Sequence, residues 1–86
     1  MLKYPRTFNV KAFWDNEARV WVATSEDVPG LVTESETMEE LIQKLKIMIP
    51  ELLEANSNSF TETSSEIPFN IFSERYETAH YQVMNV

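Results

Sequence analysis

The chain contains no cysteine, so neither a disulfide framework nor a cysteine metal site can be built from it. It has one glycine, Gly30, and a single glycine cannot form a glycine-rich phosphate cradle. Its one histidine, His80, lies in the C-terminal tail. That position suits a surface residue and supports neither a catalytic triad nor a multi-histidine metal site. No apolar run approaches the roughly 20 residues needed to cross a bilayer, so no membrane contact is expected. The N-terminal stretch Met1-Leu2-Lys3-Tyr4-Pro5-Arg6 carries two positive charges but no apolar segment behind them. It does not read as a secretory signal, and a cytoplasmic location is expected. Positive charge is scarce throughout: seven basic residues face fourteen acidic ones, for a net charge of −7. Such a chain repels phosphate backbones and gains nothing from counterion release, which argues against direct nucleic-acid binding. The same field attracts a basic partner and speeds the encounter, besides keeping a small domain in solution.

What remains is the composition of a folded domain, 43% hydrophobic and 12% aromatic, which excludes a disordered tail. Its 86 residues suffice for one core only. A domain of this size buries about 60% of the surface its unfolded chain exposes, so oligomerisation is a natural source of further stability.

Residues 7–13 read as a first strand, with Phe8, Val10 and Ala12 alternating against Thr7, Asn9 and Lys11. Residues 19–25 read as a second, with Val20 and Val22 on one face and Trp21 and Ala23 on the other. Between them, Trp14-Asp15-Asn16-Glu17-Ala18 carries turn chemistry, so the two strands are expected to form an antiparallel hairpin. Asp27-Val28-Pro29-Gly30 is the strongest punctuation: proline presets one backbone angle, and glycine after it permits the positive φ of a type II turn. Residues 31–34 then form a short third strand.

The helix that follows is the clearest element. Thr37-Met38-Glu39-Glu40 fits a capping box. Met38, Leu41, Ile42, Leu45, Met48, Ile49, Leu52 and Leu53 recur at helical spacing on one stripe. Early Glu39 and Glu40 with later Lys44 and Lys46 suit the helix dipole, and Ile47 lies opposite the stripe. Pro50 removes a helical hydrogen bond, but the pattern resumes through Leu52 and Leu53, so a kinked continuation is expected. Residues 56–65 are rich in Ser, Thr and Asn and read as a surface loop. Ile67, Phe69 and Ile71 alternate with Pro68, Asn70 and Phe72 as a fourth strand, and Pro68 favours an edge position. In residues 75–86 Ala79, Tyr81 and Val83 alternate with His80, Gln82 and Met84. This tail could prolong the fourth strand, add a fifth, or lie as an arm on a neighbouring molecule.

The expected fold class is therefore α+β: a two-layer sandwich in which one amphipathic helix covers an antiparallel sheet of three to four strands, in the order β-β-β-α-β. Residues 1–86 form a single domain, with a core over about 7–74 and a tail over 75–86. A helix covers one face of a sheet, so the opposite face would show some of Trp14, Trp21, Phe13 or Phe72, and exposed apolar patches of that kind mark interfaces.

The order of elements then meets a resemblance. Residues Arg19-Val20-Trp21-Val22-Ala23-Thr24-Ser25, then Asp27-Val28-Pro29-Gly30-Leu31-Val32-Thr33, then Thr37-Met38-Glu39-Glu40-Leu41 resemble the HicB-like antitoxin domain. The stretch Ile49-Pro50-Glu51-Leu52-Leu53-Glu54 is similar to a small solitary branch of that superfamily. The similarity covers roughly residues 7–74. It implies a partial ribonuclease-H-like fold, and a binding module that clamps a small basic toxin and blocks its messenger-RNA-cleaving site. Antitoxins of that family usually carry a further DNA-binding segment after this domain. Only about a dozen residues follow the fourth strand here, so operon control by direct DNA contact is not expected.

Ribonuclease-H-like nucleases hold metal ions with carboxylates at strand centres. In this chain Asp15, Glu17, Glu26 and Asp27 fall in turns, Glu39 and Glu40 belong to a helix cap, and the first strand has no acidic residue at its middle. Trp14, Trp21 and the phenylalanines could stack bases, but no basic groove surrounds them. Neither an enzyme nor a cofactor or metal site is expected. Two binding roles remain. One is an antitoxin-type module for a small basic toxin-like protein; the other is a solitary, self-associating structural or regulatory domain with no toxin partner, in effect a homodimer. Contacts in the first case are expected from the outer sheet face and the turn region, with Trp14, Trp21, Asp27 and Glu34 as candidate partner-binding residues.

Overall fold

The computed structural model describes residues 7–56, 66–82 and 84. The polar stretch read as a loop therefore lies, for residues 57–65, outside the described residues, as does the N-terminal hexapeptide. The elements follow the expected order: β1 (Phe8–Asp15), β2 (Val20–Thr24), β3 (Val32–Ser35), α1 (Met38–Asn56) and β4 (Phe69–Glu74). They form one four-stranded sheet, β3-β2-β1-β4, with α1 on one face.

The α+β class and its two layers hold, with one correction to the sheet. β1, β2 and β3 are antiparallel neighbours, but β4 pairs parallel with β1, so the sheet is mixed. The reason is topological. β3 runs parallel to β1, being two antiparallel steps away, and α1 carries the chain back along the sheet face before β4 enters. A strand that follows such a helical crossover runs in the direction of the strand before it. β4 is an edge strand, and Pro68 stands just before it, where a missing N–H costs no ladder bond.

Local chemistry explains the joints. In the β1–β2 hairpin the Asp15 carboxylate accepts from the N–H groups of Glu17 and Ala18 at 3.0 and 3.1 Å. Arg19 closes the turn in the left-handed region, φ 61°, while its N–H donates to the Asp15 carbonyl at 2.7 Å. The Val28–Leu31 turn has the Leu31 N–H donating to the Val28 carbonyl at 3.1 Å, and Gly30 has φ 86°, as a type II turn requires. Thr37 caps α1: its Oγ1 accepts from the Glu40 N–H at 3.1 Å. The helix runs through Pro50 as one element of 19 residues. Its C-terminal Asn56 donates to the carbonyls of Leu52 and Pro29 at 2.9 and 3.0 Å, tying the helix end to the type II turn.

Because α1 reaches Asn56, Lys44 and Lys46 lie mid-helix and no basic residue stands in its last turn, contrary to the dipole expectation. Lys44 instead donates from Nζ to the Glu34 carbonyl at 2.6 Å, at the free edge of β3.

The core joins Phe8, Val10 and Ala12 of β1, Ala23 of β2, and Leu41, Leu45, Ile49 and Leu53 of α1, closed at the turn by Val28 and Leu31. Leu41 and Leu45 are wholly buried, and each such side chain stabilises the fold by roughly 1.5–3 kcal/mol over an exposed one. Ala12 and Ala23 are direct cross-strand partners, and two small side chains side by side let the helix approach. Ile47, opposite the stripe, is exposed.

Candidate protein-binding surface

The face of the sheet away from α1 has no covering element among the described residues. Pairing fixes its layout. Glu34, Val22, Phe13 and Glu74 are successive partners across β3, β2, β1 and β4, and so form one row. Val32, Thr24, Lys11 and Phe72 form the next. With strands about 4.8 Å apart, each row is about 14 Å wide. The first row is acid, apolar, apolar, acid. The second puts a phenylalanine beside a lysine at the β4 edge.

Phe13, Val32 and Phe72 are 45%, 66% and 59% exposed, too much apolar surface for a face whose strands bury the other side. Two shallow depressions indent it. One is lined by Lys11, Phe13, Thr24, Phe72 and Glu74, the other by Asn9, Lys11, Glu26, Asp27 and Phe72. Lys11 and Phe72 belong to both. The acidic side chains at the margins include Glu26, Asp27, Glu34 and Glu74, with Lys11 between them.

The four residues singled out from the sequence divide. Glu34 is on this face, at the end of a row. Asp27 is at its rim, where its carboxylate accepts from the Asn9 N–H at 2.8 Å. Ser25 completes that joint: its hydroxyl donates to the Asn9 carbonyl at 2.7 Å and accepts from the N–H groups of Asp27 and Val28. Asp27 thus positions the turn as well as lining the rim.

Trp14 and Trp21 are not on the outer face, which corrects the expectation. They are direct partners in the same alternating set as Ala12 and Ala23, and so lie on the helix side. Their rings meet edge to face, centroids 5.5 Å apart. The Arg75 guanidinium lies 4.2 Å from the Trp14 ring centre and 5.9 Å from that of Trp21, while Arg19 lies 5.7 Å from Trp14. Trp21 packs against the core. Lys11, Val22, Val32 and Glu74 are outer-face residues that sequence reasoning did not single out. The alternation of Lys11 with Val10 and Ala12 was the signal that could have found the lysine.

No set of three or more His, Asp or Glu side chains among the described residues is placed to hold a metal ion. No helix among them is long and apolar enough to cross a membrane. A cleft between α1 and the chain entering β4 is lined by Leu45, Lys46, Ile49, Pro50, Ile67 and Phe69, apolar but for one lysine.

A family model, described as a domain of unknown function (DUF1902), matches residues 7–83. The chain belongs to the DUF1902 family. Among solved structures, it is similar in both sequence and fold to the hypothetical protein TTHA1013 from the extremely thermophilic bacterium Thermus thermophilus. That protein is 47% identical, with a TM-score of 0.64 over 88% of this chain and 100% of that one. Comparison with curated proteins gave no match. The DUF1902 match spans all five elements and both rows of the outer face.

Proposed function

We propose that the chain is a protein-binding module of the HicB-antitoxin kind, whose uncovered sheet face takes up a small, basic, RNA-cleaving toxin in the cytoplasm. The observation that carries this reading is the row Glu34-Val22-Phe13-Glu74, an apolar centre flanked at both ends by carboxylates. A basic protein with an apolar patch between cationic side chains complements it. Burying Phe13, Phe72 and Val32 supplies the affinity, and the acidic margins supply register and speed of encounter. The net charge of −7 acts in the same sense over longer range. No catalytic step is assigned to the chain; it acts by occupying the partner's site. The resemblance of residues 19–41 to HicB-like domains supports the assignment.

The test is coexpression with the product of the neighbouring gene, which this reading expects to be a small basic protein, followed by co-purification and an RNA-cleavage assay. The expected result is a complex that suppresses cleavage, lost on Phe72→Glu and retained on substitution of exposed Ile47 of α1 by Glu. Equal complex formation by the wild type and Phe72→Glu would remove the outer face from the reading.

A further inference from the structure

The two edges of the sheet are treated differently. β3 is only four residues long, and Lys44 reaches over it to occupy the Glu34 carbonyl. Short edge strands and lysines are devices that keep an edge from pairing. β4 has neither. It is six residues long and contains no lysine, and no strand among the described residues pairs with its outer edge. An edge of that kind is a template for another strand.

Directly after β4 comes an unpaired strand-like segment. Residues 75–82 have no regular structure and are exposed throughout, with Tyr76 and Tyr81 at 85% and 90% and Met84 beyond them at 82%. Extended at about 3.3 Å per residue, this arm reaches about 26 Å from the sheet. Residues 75–84 include no glycine, proline, asparagine or aspartate, so the arm lacks the residues that would turn it back onto its own sheet. Arg75 directs its start, with the guanidinium on Trp14 and a hydrogen bond to Glu77.

We infer that the arm pairs with the open β4 edge of a second copy of the chain. Each copy holds one strand without an edge and one edge without a strand. A two-fold exchange satisfies both at once, and a symmetric pairing closes at two copies. Charge favours this occupant locally: Arg75 and Glu77 cancel within the arm, although the whole chain carries −7. Main-chain bonds supply the pairing, and alternate side chains such as Tyr81 cover apolar surface beside β4. Adding a strand to an edge leaves the outer face open. The inference therefore stands apart from the toxin reading, and each can fail alone.

Light scattering on the full chain during size-exclusion chromatography tests it, with no partner present. The wild type is expected to have twice the chain mass of 10.0 kDa. Ala79→Pro and Tyr81→Asp, both at exposed positions, are each expected to give the single-chain mass with an unchanged circular dichroism spectrum. A single-chain mass for the wild type, or a doubled mass that survives both substitutions, would overturn it.

Discussion

Trp14 and Trp21 face each other across β1 and β2 with ring centroids 5.5 Å apart, on the side of the sheet that carries the helix. Trp21 packs against the core and holds Trp14 in an edge-to-face contact. Removing it opens a cavity at the helix N-terminal end of the sheet. Trp21→Ala is expected to cost about 3 kcal/mol, at the low end for tryptophan truncation because the ring is only half-buried. A denaturant melt checks this. A variant that melts like the wild type but fails to bind a partner would return Trp21 to the interface.

Gly30 holds φ 86° in the type II turn that Asn56 ties to the end of α1. A Cβ there would meet Leu52 Cδ2 at 3.7 Å, an ordinary contact, so the penalty lies in the backbone. Gly30→Ala is expected to lose about 1–2 kcal/mol, read as a lower urea midpoint with unchanged slope.

Much of this fold was legible in the sequence, because its signals are local. Alternation in Phe8, Val10 and Ala12 marks β1, and the stripe from Met38 to Leu53 marks α1 through Pro50. The Pro29-Gly30 pair marks the type II turn and Thr37 marks the cap, as found. Strand direction was not legible, since alternation reads the same both ways, and β4 proved parallel to β1. In β2, where both sets are apolar, alternation sorts side chains into two sets without saying which set meets the helix. Trp14 and Trp21 went to the helix side with Ala12 and Ala23; for Trp14 the apolar set Phe8, Val10 and Ala12 already pointed there, and Trp21 followed as its cross-strand partner. The outer face itself was foreseen through Phe13 and Phe72, and the alternation of Lys11 with Val10 and Ala12 pointed there too, while Val32 joins it through cross-strand register, a non-local property.

Among the described residues Ser35 is the buried polar one, and its hydroxyl has no hydrogen-bond partner there. A buried, unsatisfied hydroxyl costs about 1–3 kcal/mol. Ser35→Ala is expected to recover part of that and raise Tm by several degrees in differential scanning calorimetry. A lower Tm would mean that the hydroxyl is satisfied in solution.

Pro50 leaves the Lys46 carbonyl without its helical donor. Pro50→Ala restores that bond and is expected to stabilise the domain by up to about 3 kcal/mol, the helix-interior difference between the two residues. Chemical denaturation measures it directly. A loss of stability would show that the ring's place in the cleft with Ile67 and Phe69 outweighs the missing bond.

The central claim is that the uncovered sheet face is the binding face, and amide hydrogen exchange with and without the basic partner tests it most directly. The expected result is added protection along β1, β2 and β4 around Lys11, Phe13, Val22 and Phe72, with α1 unchanged. Protection confined to α1, or no protection at saturating partner, would contradict it.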